Sequence, residues 1–578
     1  MKKILNYKTL IATAFLSVLV VISCKDSFLE IQPAGQLSES ALSSKAGIEG
    51  LLIGSYAMLN GNGYSRLGAS NNWVFGSICG GDANKGTNAG DYTAINPIQR
   101  YESIATNGDI DGTYKPKYEG IARANNVLRA LKKAPADVSA TDLTRLAGEA
   151  RFLRGHYYFE LKKIFNNTPF VDENLEDAKA AAVTNDADLW PKIEADFKYA
   201  YDNLPETQSA AGRSNKWAAA SYLAKTYLYQ KKFAEAKALF DAIIANGKTT
   251  NGKKYALLPK YADVFNAVND NHAESVFSMQ SAVNTGSTNN SNWFDDLNYP
   301  YNTGSGGPGN CCGFFQPSFE LGNSFRTDAL GLPLLDGSYN SAANELKTDQ
   351  GLGSAAAFTP DAGRLDPRVD HSIGRRGIPY LDWKDFPGAD WIRDQGYAGP
   401  YSPKKFIYYK SQEGSLTDGT SWTRGYAAMN YCIIRFADVL LMAAECEVEV
   451  GSLAKAQEYV NMVRTRAANP DGRVKKAGAD AANYVINNYL VPWTDKATAR
   501  TAVYFERKLE LSGEGHRFFD LVRWGIDGTV LPAYLAYESK LLPSPFAGAT
   551  YTAKAKYQPI PQGQIDLHKG AVKQNPGY

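Results

Sequence analysis

Two stretches of this chain carry the same interlocking pattern of small and large residues. In 215–247, Leu223, Ala224, Tyr227, Ala236 and Phe240 stand at offsets 0, 1, 4, 13 and 17. Residues three or four apart share a helix face. Small alanines there let two helices approach, and the aromatics fill the groove between them. This is the interlock of a tetratricopeptide-type helical hairpin. In 437–467, Ala443, Ala444, Ala456 and Val460 take the same offsets, with Glu447 where an aromatic is expected. The alternative is two unrelated helical hairpins. Either way the chain specifies a helical scaffold, and roughly 190 residues interrupt it.

The rest of the scaffold reads helical too. From Ser38 to Leu59 the pattern is helical, with Ser38 as N-cap and Gly61 as stop. In 113–135, Tyr118, Ile121, Asn125, Leu128 and Leu131 share one face. Further helices are expected over 141–166 and 186–203. The interruption, 250–432, loses regular period and is rich in Gly, Asn, Ser, Asp and Trp. Ser275–Ser278 and Phe406–Tyr409 are short β-like runs. Its many aromatics oppose a flexible linker, and long ordered loops on a rigid scaffold usually carry function. The expected organisation is an N-terminal helical part (38–249), a loop-rich insertion (250–432) and a C-terminal helical part with its tail (433–578). Pro559 and Pro561 fix an extended path, expected to lie against the helical body.

The N-terminus reads as an export signal, 1–23. Lys2, Lys3 and Lys8 precede a short apolar run, Leu10 to Ile22, and Ser23 stands before Cys24. A small residue before cysteine is the pattern of a bacterial lipobox. Cleavage there leaves Cys24 as a lipidated N-terminus, followed by a tether, 24–37; the alternative is an uncleaved anchor. Loss of the three signal lysines takes the formal net charge from +2 to −1. Such a balance opposes nucleic-acid binding. The 35 Tyr and 9 Trp outnumber 25 Phe, an excess of amphipathic aromatics suited to wet, half-apolar contact surfaces.

Most candidates for chemistry fail on inspection. Gly304, Gly306 and Gly309 formally match GxGxxG, but no clear strand precedes them and Pro308 suits a loop. There is no Walker loop, HExxH, CxxC or GxSxG. Glu506, Glu510 and Glu514 recur at i, i+4 and i+8 among Arg507, Lys508, Arg517 and Arg523. Such a face reads as a salt-bridge lattice. Carboxylates on one helix stripe do not flank a glycosidic bond from two sides. His516 reads as a packed or capping residue. Asp366–His371 reads as a site or as a turn bracing the insertion. Cys311 and Cys312 form a vicinal disulfide or stay as loop thiols. No metal or cofactor is implied; Asp82, Asp109 and Asp111 permit a structural Ca²⁺ without requiring it.

Several motifs together resemble the SusD/RagB family. They are the lipobox at Cys24; Glu149–Arg154 with Tyr157, Tyr158 and Phe159; Arg435–Leu441; Glu506–Leu511; Gly515–Leu521; Pro559–Gln562; and the Asn575–Tyr578 ending. They occur in order along essentially the whole chain. The resemblance implies a mostly α fold, SusD-like, with tetratricopeptide-like hairpins scaffolding a large irregular ligand-binding region with minor β. It implies a non-enzymatic lipoprotein, anchored at Cys24 on the cell surface of a Bacteroidota-type outer membrane. Such a protein binds oligo- or polysaccharide and hands it to a SusC-like TonB-dependent transporter. The alternative within the family is a RagB-like, peptide-binding member of an oligopeptide uptake complex.

A sugar ring presents C–H faces and hydroxyl edges. Flat aromatics take the faces, and Asp, Asn and Arg take the edges. The expected glycan-binding residues are therefore Trp73, Asp82, Trp293, Arg375, Trp391 and Trp422, with Trp383 as either ligand or core. Arg375, Arg376 and Arg393 grip hydroxyls or pair with neighbouring Asp. Trp217 and Trp524 are expected in the core.

Overall fold

The computed structural model describes residues 38–578, apart from Asn62 and Asn310. The signal segment 1–23, the tether 24–37 and Cys24 lie outside the described residues. The first helices are α1 (Lys45–Tyr56), α2 (Gly108–Leu131), α3 (Ala140–Phe165), α4 (Trp190–Asn203), α5 (Lys216–Tyr229) and α6 (Phe233–Asn246). After the insertion come α7 (Phe436–Val450), α8 (Leu453–Ala468), α9 (Lys496–Glu510), α10 (Arg517–Trp524) and α11 (Asp527–Leu541). Polar caps start several of them. Asn107, Ser139, Asn215, Ser452 and Asp495 each accept backbone N–H bonds of the first turn. Ser38 caps only a short helix, Glu39–Ser43, and Ser44 restarts the chain into α1.

The helices stack in sequence, α2 on α3, then α4, α5 and α6, and α6 packs directly on α7. The two hairpins read from the sequence are thus neighbours in space. Their small–large residues fill the seam: Ala224, Ala236, Phe240, Ala443, Ala444, Ala456 and Val460 are all buried. Glu447, the polar exception, pairs with Lys237 of α6 at 2.9 Å and accepts the Ser452 N–H at 2.7 Å. It stitches one hairpin to the other where an aromatic would have packed.

Four strands matter to the insertion: β1 (Ala83–Gly86), β2 (Ser275–Met279), β3 (Phe314–Pro317) and β4 (Tyr431–Arg435). β2 pairs antiparallel with β4, Ser275 opposite Arg435 and Met279 opposite Tyr431. The chain between Met279 and Tyr431, the larger part of the expected insertion, therefore leaves and returns through one two-stranded neck. β1 pairs antiparallel with β3. The run Phe406–Tyr409 is not a strand: Phe406 sits in a turn at φ 61° and stacks on Tyr431, ring centroids 4.6 Å apart.

An ion lattice bolts the insertion to the scaffold. Arg435 reaches Glu274 (2.7 Å), Glu510 (2.6 Å) and Glu514 (2.7 Å). Arg368 reaches Asp366 (2.7 Å), Glu506 (2.7 Å) and Glu510 (3.0 Å). Arg464 pairs with Glu506, Arg466 with Glu274 and Glu510, and Lys405 with Glu514. All these groups are buried, and five cations face five carboxylates. Burial pushes the Glu510 carboxyl up, but the guanidinium groups of Arg466, Arg435 and Arg368 outweigh it and hold it well below the usual range. Glu506, Glu510 and Glu514 form a salt lattice, but an interior one made with bases from other segments and not with the interleaved Arg507, Lys508 and Arg523, and Glu514 lies in the turn beyond the end of α9.

The tail lies against α3. Gln558 N–H bonds the Ile164 carbonyl at 2.8 Å, and Asn575 Nδ2 bonds the Phe165 carbonyl at 2.9 Å. Among the described residues no helix is long and apolar enough to cross a membrane.

Candidate functional site

The loop 417–428 is a narrow hairpin, closed by the Thr417–Ala427 bridge and by Asp418 N–H on the Tyr426 carbonyl at 2.9 Å. Thr420 caps back onto Asp418, its N–H and hydroxyl both donating to Oδ1. At the tip stands Trp422, 59% exposed. Its ring is not loose. The indole N–H is shared between Asp296 Oδ2 (3.1 Å) and the Tyr426 hydroxyl (3.0 Å). Arg66 holds Asp296 in turn, Nη2 to Oδ2 at 2.8 Å, and lies over the Trp293 ring at 6.0 Å. The Asp296 hydrogen bond holds the Arg66 pKa above its ordinary value, and burial with Asp296 beside it raises that of Tyr426. The result is one outward ring braced along its polar edge, with a carboxylate and a guanidinium beside it.

A small second core carries this loop. Tyr299, Tyr380, Trp383, Phe386, Trp391, Ile392, Ile407, Tyr408, Ala427 and Met429 pack together. Trp391 is 2% exposed, met edge-on by Tyr380 (5.6 Å) and Phe386 (5.7 Å) and covered by the Lys384 ammonium at 4.9 Å. Its other neighbour is Gly307, where a Cβ would come within 2.4 Å of the indole. Trp391 thus supports the surface and has no face open to a sugar. Trp383 belongs to the same pedestal, its indole N–H on the Tyr408 carbonyl at 3.2 Å.

The other expected site residues are also enclosed. Trp73 is 2% exposed and meets Phe315 edge-on at 5.8 Å. It lines a small cavity of about 10 Å³ with Asn71, Asp295 and Asn298, room for about one water. Trp293 is 7% exposed and lies beneath Arg66. Asp82 accepts the Gly513 N–H at 3.0 Å, and burial pushes its carboxyl up to about 6. Arg375 is clamped to Asp370 by two bonds, 2.6 and 2.8 Å. Burial is what a one-dimensional loop composition does not show: these loops fold back on themselves, and their aromatics become their core. Trp422 alone of the six faces solvent. Trp217 is core, while Trp524 is half-buried, stacked on Tyr504 at 3.6 Å.

Sequence reasoning missed Arg66, Asp296 and Tyr426. Asp296 had a signal, two acids beside an aromatic pair in Trp293–Asp296. Arg66 had none, since it comes from a turn 230 residues away in the chain. Arg393 is half-exposed, pairs with Asp91 and Thr87, and lies over Tyr301 at 5.3 Å. Cys311 and Cys312 are joined as a vicinal disulfide. Among the described residues no group of three His, Cys, Asp or Glu could hold a metal ion.

Comparison with known proteins agrees with this architecture. A SusD-like protein of Formosa agariphila is 27% identical over 533 residues, 88% of this chain and 89% of its own. A SusD superfamily protein from Bacteroides vulgatus superposes with a TM-score of 0.67 at 21% identity, covering 92% of this chain and 99% of its own. A solved structure described as a laminarin binding SusD-like protein gives 0.65 at 24%, with the same coverage. Surface glycan-binding protein A from Bacteroides thetaiotaomicron, in complex with laminarihexaose, gives 0.63 at 20%, again with that coverage. A family model described as "Starch-binding associating with outer membrane" matches residues 27–228. The SusD family model matches residues 273–578, more than half of the chain, from the neck through the ion lattice to the last residue. With hairpins, neck and lattice arranged as described, this chain belongs to the SusD family.

Proposed function

We propose that this protein is a non-enzymatic, cell-surface lipoprotein that captures a glycan on the face around Trp422 and delivers it to a SusC-like TonB-dependent transporter. Lipid at Cys24 anchors it to the outer membrane. The observation that carries the reading is the Trp422 indole, exposed yet held by Asp296 and Tyr426. A fixed apolar ring face with the partly exposed Arg66 guanidinium at its edge, itself held by the buried Asp296, matches a sugar, which offers C–H groups on its face and hydroxyls around its rim. The laminarin- and laminarihexaose-binding neighbours and the starch-binding family description support a glycan as ligand. An enzymatic reading has little to stand on, because Glu506, Glu510 and Glu514 are buried and consumed in ion pairs.

The test is native affinity electrophoresis of the chain from Lys25 onward against laminarin and a panel of plant, microbial and host polysaccharides. Retardation by at least one is expected. Trp422→Ala is expected to weaken it about tenfold or more, as loss of an aromatic anchor does, with an unchanged melting temperature. Unchanged retardation in the variant rejects this face. Selective co-purification of peptides with no polysaccharide bound turns the reading toward the RagB-like alternative.

A further inference from the structure

Resting on that reading, we propose that the Cys311–Cys312 disulfide is itself a ligand platform, the middle one of three set in a row across this face. The row runs from Trp422 through the two sulfurs to Tyr301. Two links place the disulfide beside Trp422. The Trp422 indole sits on the Asp296 side chain, and the next residue, Leu297, accepts the Cys312 N–H at 3.3 Å. Thr423 Oγ1 donates to the Gly309 carbonyl at 3.0 Å, two residues before Cys311. Two residues span roughly 7 Å at most. On the far side, a Cβ on Gly313 would lie 3.2 Å from Tyr301 Cβ and 3.8 Å from Arg393 Cβ. Tyr301 is half-exposed under the Arg393 guanidinium. Each end of the row therefore has a guanidinium steadied by a carboxylate, Arg66 by the buried Asp296 and Arg393 by the partly exposed Asp91.

The chemistry of the middle position suits a sugar face. Joined sulfurs carry no charge and no N–H or O–H, and they are polarizable. They gain dispersion with C–H groups without a hydrogen bond to lose. Bonded to each other they have no free rotors, so little side-chain entropy is lost on contact. Cys312 is buried and Cys311 half-buried, so the Cys311 side of the bond is the part that meets a ligand, whereas Cys79, Cys432 and Cys446 are buried free thiols. Arg424 also ties the two loops, Nη2 donating to the Gly307 carbonyl at 3.0 Å. A row of three platforms reads an oligosaccharide of several rings along its length, and a monosaccharide would fill one position only.

The experiment uses the chain from Lys25 onward with laminarin, laminaribiose and laminarihexaose as probes. Affinity is expected to rise from the disaccharide to the hexasaccharide. The double variant C311S/C312S is expected to weaken hexasaccharide binding three- to tenfold while keeping the wild-type melting temperature. Alkylation of denatured, unreduced protein is expected to label three cysteines. Five labelled cysteines, or equal affinity for the two oligosaccharides, overturns the proposal, and either readout stands even if the double variant does not fold. Retardation lost in Trp422→Ala but intact in C311S/C312S overturns this proposal alone. No retardation of the unmodified protein by any glycan overturns the functional reading with it.

Discussion

The helical scaffold and the inserted region solve the same problem by opposite means. The scaffold buries a periodic apolar seam, alanine against aromatic, and each helix needs only its neighbour. The insertion has few regular elements, so its backbone polar groups are met by side chains. Lys404 Nζ donates to the carbonyls of Asp370 (2.5 Å) and Pro379 (2.6 Å), Arg376 Nη2 to that of Ser354 (2.6 Å), and Asp382 accepts the Ser411 N–H (3.0 Å). Buried backbone groups must be paired, and where no ladder exists charged side chains do the pairing. Order without periodicity is therefore bought with specific polar contacts, each of which is a point of failure.

The sharpest way to break this contrast is at the lattice. Arg435→Met leaves Glu274, Glu510 and Glu514 without their shared partner and is expected to cost about 3–5 kcal/mol, read as a lower urea midpoint. A loss below about 1 kcal/mol means the insertion holds itself. Next in size is Gly307→Ala. The backbone there is extended, so the cost is steric alone: the new methyl drives Trp391 out of its pedestal. Overpacking of this kind costs about 1–3 kcal/mol and is expected to weaken glycan retention through the Trp422 loop. Normal stability and retention in that variant separate the pedestal from the face above it.

The smallest effect concerns Asp295. Burial pushes its carboxyl up to about 7, against the amide donors of Asn71 and Asn298. A raised folded-state pKa means the native protein keeps a proton that the unfolded chain releases near the ordinary Asp value of about 3.9. Its contribution is full below that value and lost as pH rises through about 7. Asp295→Asn is expected to flatten the decline of stability between about pH 4 and 7, checked by urea midpoints across that range. A decline of unchanged slope assigns it to the other carboxyls that burial pushes up, Asp270 to about 7, Asp82 to about 6 and Glu538 to about 8.

What was legible in the sequence follows the same division. Periodicity found both hairpins, because Ala224 and Phe240 or Ala444 and Val460 need only a helix to meet. Spacing also marked Glu506, Glu510 and Glu514 as a lattice, yet their partners Arg368 and Lys405 are more than 100 residues away in the chain. The same distance hid the site. Composition singled out Trp73, Trp293 and Trp391 beside Trp422, but which ring ends outside depends on how loops from five places fold over one another. Only Trp422, at the tip of a hairpin too narrow to cover it, keeps an open face.

The two-stranded neck has a consequence for how such a chain can be rebuilt. Because β2 and β4 are paired, the ends of the region between them are adjacent, and its replacement would not pull the helices apart. It is a cassette at its ends, but its face is shared with the frame, since Arg66, Asp91 and β1 of the frame pair with Asp296, Arg393 and β3 within it. The frame nevertheless sets terms. A graft must arrive with bases where Arg368 and Lys405 now stand, or the acids of α9 and its following turn are left charged in the interior. Compatibility between cassette and frame is thus written in the buried ion pairs that cross between them, Arg368 and Lys405 on Glu506, Glu510 and Glu514 and Glu320 on Lys508, and a chimaera designed on strand ends alone would satisfy the geometry and fail the electrostatics.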